Sequence, residues 1–245
     1  MNIKRLETSR LFHRFGFGPR PGEYAQAIKD GVDVTRTKLT IAPAVQTTIT
    51  PIATPEITDL GKRPEPNSTA IVPFVIALRT QEQQMGLWWL DMMALSDHGL
   101  TEKMTWFWHG HWATSIQKLN YPLPMFNQNK TLRTQSLGSF NSMVKAMLND
   151  GALQFWLDGQ DSTSKAPNEN LGRELMELFV LGVNRYTEDD VKAISRALTG
   201  YQVVRSTGQV SINPSRRDAN PVTLLGKTAS FTGDSLSDFL VARDD

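Results

Sequence analysis

The stretch "TEKMTWFWHGHWATS", Thr101 to Ser115, constrains the fold more than any other part of the chain. On a helix turning about 100° per residue, Met104, Phe107, Trp108, His111 and Trp112 share one face, with Trp106, His109 and Ala113 on the other side. A helix this apolar all round has to be central and covered by other elements. Thr101 is placed to cap it.

The rest of the sequence offers partners of the same kind. "QEQQMGLWWLDMMALS" carries Met85, Trp88, Trp89, Met92 and Met93 as one apolar stripe. "TLRTQSLGSFNSMVKAMLND" reads as helix interrupted near Gly138. Asn168 can cap "ENLGRELMELFVL", which Gly182 stops. Thr187 with Asp190 makes a capping box for "EDDVKAISRALT", stopped at Gly200. These signals predict helices near 85–96, 101–117, 131–149, 168–181 and 188–199. "YQVVRS" and "QVSINP" then suggest the only β structure, a short hairpin after Gly200. The expected fold is mainly α, an irregular multi-helix domain with a small β-hairpin near the C-terminus.

Upstream, Leu11, Phe12 and Phe15 stand at helical spacing before a break at Gly16, Gly18, Pro19 and Pro21, and a second helix is expected from Glu23 to Lys29. Five prolines between Ile41 and Ser68 mark an irregular connection. The chain thus divides into an N-terminal helical segment (1–40), a proline-rich connection (41–70) and a helical core domain (71–245).

Composition narrows the function classes. With 26 Lys and Arg against 25 Asp and Glu, the net charge of +1 leaves no overall footprint for nucleic acid. The first 40 residues hold eight basic and four acidic side chains, scattered as on a solvated helix face. The absence of cysteine excludes disulfides, thiolate ligands and a cysteine nucleophile. No run approaches the ~20 apolar residues of a transmembrane span, and the start has no apolar stretch of signal-peptide type. The chain reads as soluble. Neither a P-loop nor a Gly-x-Gly-x-x-Gly pattern is present.

His109 and His111 admit two readings: a metal or catalytic site, or polar tips on a packed aromatic helix. About 200° apart on an intact helix, they cannot bind one metal together unless Gly110 breaks it. Buried imidazoles need partners, since an unpaired buried polar group costs roughly 1–3 kcal/mol. Candidates lie in "NENLGRELMELF", where Asn170, Arg173, Glu174 and Glu177 take one side and Leu171, Leu175, Leu178 and Phe179 the other. The same row also reads as an ordinary solvated face with an Arg–Glu pair. The preceding loop, with Asp158, Asp161, Asn168 and Asn170, matches no EF-hand spacing and is equally explained by turns and caps.

Four blocks, "RLFHRFGFGPRPGE", "WFWHGHWATS", "APNENLGRELMELFVLGVNRYTEDDVKAISRALTGY" and "LLGKTASFTGDSLSDFL", occur in that order. Together they resemble the bacterial family catalogued as domain of unknown function 1800. The W-H-x-H-F/W element of that family falls on Trp108, His109, His111 and Trp112. Its P-N-E-N and R-E-L/M-x-E-L elements fall on Pro167, Asn168, Glu169, Asn170, Arg173, Glu174 and Glu177. Many relatives carry histidine where this chain has Phe179. The resemblance also implies export, and further helices beyond the last block.

Two sharply patterned polar blocks point to one shared site. His109 is expected as general base or ligand, with Glu174 and Arg173 as its catalytic companions and Asn170, Trp108 and Trp112 as substrate contacts. His109, His111, Glu174 and Glu177 form the candidate set for one divalent metal ion. The expected chemistry is hydrolytic, metal-assisted or by His/Glu general acid–base catalysis, on an extracellular or polymeric substrate. The alternative is a non-catalytic scaffold or assembly module with a Trp-rich structural core. In the last block Thr232 or Asp234 caps a helix whose stripe is Leu236, Phe239 and Leu240. That stripe needs cover, so the expected partner is another copy of the chain or a second polypeptide supplying the further helices.

Overall fold

The computed structural model describes residues 3–41 and 52–243. The first three helices, α1 (Ile3–Arg14), α2 (Glu23–Asp30) and α3 (Val32–Thr40), pack on one another. Helix α3, with its Val, Thr and Asp at low helix propensity, was not among the expected elements. Arg20 ties this unit to the body of the protein by donating to the Ser96 carbonyl at 2.6 Å. Of the proline-rich connection, 42–51 lies outside the described residues, and 52–70 carries neither helix nor strand.

Helix α4 (Ile71–Leu95) begins a good three turns before the expected 85, because "IVPFVIALRT" tolerates Pro73 within the first turn. Next come α5 (Gly99–His111), α6 (Ile116–Leu119), α7 (Pro122–Gln135), α8 (Phe140–Leu148) and α9 (Gly151–Trp156). The expected continuous 101–117 helix therefore ends at His111; Trp112 leaves helical geometry and Ser115 caps α6. Thr101 lies inside the first turn of α5, hydrogen-bonded to His98 Nδ1 at 2.8 Å, and is not the cap. The predicted interruption near Gly138 separates α7 from α8.

Asn168 caps α10 (Glu169–Glu174), and Thr187 with Asp190 closes the capping box of α11 (Glu188–Ala197). The last helix is α12 (Gly233–Val241), with Thr232 as cap. Strands β1 (Tyr201–Val204) and β2 (Gln209–Ile212) form the expected hairpin, pairing Tyr201 with Ile212 and Val204 with Gln209. A second, unexpected hairpin joins β3 (Val222–Leu224) to β4 (Lys227–Ala229) across Leu225 and Gly226, both at positive φ. Strands of three residues are too short to show a period of two.

One main core gathers Leu132, Met147, Leu153, Leu175, Ile194 and Leu224, all fully buried. The protein is mainly α, as its sequence indicates. The C-terminal stripe is a correction. Leu236 and Leu240 are buried in the chain's own core, and Phe239 packs on Phe231 at 5.3 Å, so cover for this helix comes from within the chain. Among the described residues no helix is long and apolar enough to cross a membrane.

Candidate functional site

Helix α5 is turned about its axis relative to the hydrophobic expectation. Thr101, Glu102 and Thr105 are buried, while Trp106 and Phe107 are about half exposed, so the helix is not central. The reason is an ion pair that hydrophobicity cannot register. Arg133 of α7 grips Glu102 with two bonds, Nε to Oε1 at 2.6 Å and Nη2 to Oε2 at 2.9 Å, and lies 4.8 Å from the Trp88 ring. A carboxylate matched in this bidentate way can be buried.

That rotation fixes both histidines. His109 turns toward α4 and meets Trp89 edge-on at 5.0 Å, where burial holds its imidazole below the ordinary value. His111 leaves on another side, ringed by Phe107, Trp108, Trp112, Phe140 and Phe179 at 5.4–6.4 Å. Its Nε2 donates to the Phe179 carbonyl at 3.0 Å. The bond goes to backbone rather than to Asn170, Glu174 or Glu177, and it satisfies one of the last carbonyls of a helix.

Beyond Glu174 the chain passes from α-helix into a π-helical segment, Leu175–Val180, closed by Leu181 N–H to the Met176 carbonyl at 2.8 Å. The expected uniform helix over 168–181 placed Leu178 inward with Leu171 and Leu175. In the wider turn Met176 and Phe179 point inward and Leu178 is exposed. Such segments recur at functional sites.

The end of α5, the end of α9 and this α-to-π junction enclose a cleft of about 440 Å³. Gly110, His111 and Ala113 form one wall, Trp156 and Leu157 a second, and Glu174, Leu178 and Phe179 the third. Glu174 has its carboxyl raised above the usual range, first by burial and then by the neighbouring Glu177, against the lowering effect of Arg173. Among the described residues it carries no hydrogen bond within the chain. Trp156 is placed by Lys118, which donates to its carbonyl and lies 5.8 Å from its ring.

The other expected site residues are engaged elsewhere. Arg173 binds Glu188 at 2.8 Å and Glu169 at 3.1 Å, joining α10 to the start of α11. Asn170 donates to the Leu157 carbonyl and Asn168 to the Asp158 carbonyl, closing the loop before α10. Glu177 accepts the Tyr186 hydroxyl. Trp108 donates to the Ser136 carbonyl and stacks on Phe140, and Trp112 is fully buried, which removes it from any substrate. The four expected metal ligands do not converge, because the two histidines diverge from α5. Among the described residues no group of three or more His, Asp or Glu is placed to hold a metal ion. Only His111 and Glu174 of the expected set share the cleft. Trp156 and Leu157 were not among the candidates; the sole signal for them was an aromatic residue at the mouth of the polar loop 158–170.

Fold and cleft together define a mainly α protein with one imidazole and one carboxyl at an aromatic-walled opening. The chain belongs to DUF1800, a family of proteins of unknown function, whose model matches residues 10–245. No curated protein and no solved structure matches it.

Proposed function

We propose that the chain is a hydrolase-like enzyme working by general acid–base catalysis, with Glu174 as acid and His111 as base. One observation carries this reading: a carboxyl whose affinity for its proton is raised opens onto the same cleft as an imidazole whose other nitrogen is already committed. Donation from Nε2 to the Phe179 carbonyl leaves the lone pair of His111 on Nδ1. That nitrogen would take a proton from water as the water oxygen bonds to the electrophilic carbon. Glu174, whose raised proton affinity suits it to the acid role, would deliver a proton to the leaving group as the scissile bond breaks, and solvent would carry the proton from His111 back to Glu174. Pairs of groups held in opposite protonation states are how one site supplies both acid and base. The cleft volume suits a small substrate or one unit of a polymer.

The test is a screen of chromogenic esters, glycosides and peptides with the wild-type chain, then Glu174→Gln and His111→Gln on any substrate turned over. Each substitution should lower kcat by about 10²–10⁴-fold, with the fold kept by circular dichroism. Turnover unchanged in Glu174→Gln rejects the reading.

A second reading, a scaffold or assembly module, is favoured by one finding. Asn168, Asn170, Arg173 and Glu177 are all spent on holding loops and helices together. It predicts no turnover of any substrate in the screen.

A further inference from the structure

Helix α4 buries Phe74, Leu78, Gln81 and Trp88 on one side. The opposite side is apolar too and faces solvent: Val72, Ile76, Leu87 and Leu90 are 63, 61, 54 and 61% exposed. Arg79, Glu82 and Asp91 are the only charged residues along the helix. At helical spacing the four exposed aliphatic residues fall on a single strip.

We propose that this strip is the contact between two copies of the chain, their α4 helices packed antiparallel about a two-fold axis close to residue 81. The strip reads the same from either end: aliphatic at 72 and 76, polar at Arg79, Thr80 and Gln83, aliphatic at 87 and 90. A two-fold axis at its middle sets Val72 opposite Leu90 of the other copy, and Ile76 opposite Gly86 and Leu87. A Cβ built on Gly86 would meet nothing within 4 Å, so this position leaves a hole for the Ile76 side chain. Self-complementarity of this kind is what an isologous contact requires, and an unrelated partner has no need of it.

Charge and size agree. Arg79 and Glu82, paired within the chain at 2.8 Å, flank the axis, so opposite charges alternate across it. The four aliphatic side chains offer on the order of 400 Å² of apolar surface, within the range that marks an interaction site. A stable dimer needs roughly 800 Å² per partner, so the contact must run along most of the helix, whose 25 residues span about 37 Å.

Because the chain has no cysteine, introduced thiols give an unambiguous readout. Under mild oxidation V72C/L90C should form a disulfide-linked dimer. V72C alone should not, since the two copies of residue 72 would lie about 27 Å apart and a disulfide needs Cα atoms within about 7 Å. In light scattering the wild-type mass should be twice 27.4 kDa, falling to 27.4 kDa in Ile76→Glu with the circular dichroism unchanged. Leu90→Glu serves the same purpose should Ile76→Glu fail to fold. A wild-type mass of 27.4 kDa up to the highest soluble concentration overturns the proposal. So does cross-linking of V72C as efficient as that of the double variant.

Discussion

Asp150 ends a buried polar line: Thr114 donates to Gln128 Oε1 at 2.6 Å, and Gln128 donates to Asp150 Oδ1 at 2.7 Å. The same oxygen caps α9 by accepting from Leu153 N–H at 2.8 Å. Burial pushes this carboxyl from the ordinary 3.8 up to about 6, outweighing the backbone and Gln128 donors that favour the ionised form. A group whose folded pKa is raised keeps, when folded, a proton that the unfolded chain releases. Its contribution to stability is therefore present below pH 3.8 and is lost as pH rises through about 6. Two pH units and a little more, at about 1.36 kcal/mol each, make the loss about 3 kcal/mol. Asp150→Asn preserves the Oδ1 acceptor and removes the titration. Its stability relative to wild type should rise by about 3 kcal/mol between pH 3.5 and pH 7, or roughly 6–12 °C in Tm for a chain of this size. Tryptophan fluorescence across a pH series of urea melts measures it. The difference at each pH cancels Asp190, Asp218 and Glu188, whose lowered values make their stabilisation disappear as pH falls. A difference that stays flat, or that shrinks as pH rises, would show that the Leu153, Gln128 and Ala152 donors match or outweigh burial.

Gly151→Ala places a Cβ 2.1 Å from the carbonyl oxygen of Gly208, in the turn between β1 and β2, where backbone cannot yield as a side chain would. A loss of about 3 kcal/mol or more in denaturant melts is expected, and an unchanged midpoint would mean that hairpin and α9 do not touch. Arg133→Met strips the fully buried Glu102 of its bidentate guanidinium. It should cost about 3–5 kcal/mol in the same melts; a loss below about 1 kcal/mol, the scale of a surface pair, would refute the buried geometry.

What the sequence disclosed was local, and what it hid was tertiary. Asn168, Thr187 and Thr232 mark helix starts because a cap is a bond across two or three residues, written in neighbouring letters. The face that α5 turns inward depends instead on Arg133, distant in sequence from Glu102, so a helix read as covered all round gave no sign that Glu102 is buried and Phe107 half exposed. Leu178 misled for a related reason: 3.6-residue periodicity holds through Leu175 and fails once the helix widens. These two departures are also what builds the cleft. Turning α5 toward its polar face leaves His111 at the helix edge beside Phe179. The π turn holds Leu178 outward with Glu174 at the opening while offering the Phe179 carbonyl to the imidazole. A sequence that obeyed the simple periodicities throughout would have packed both elements flush, with Phe107 and Leu178 in the core, and left no opening between them. Local rules and global fold part company here where an imidazole and a carboxyl meet at one cleft, as functional sites tend to do.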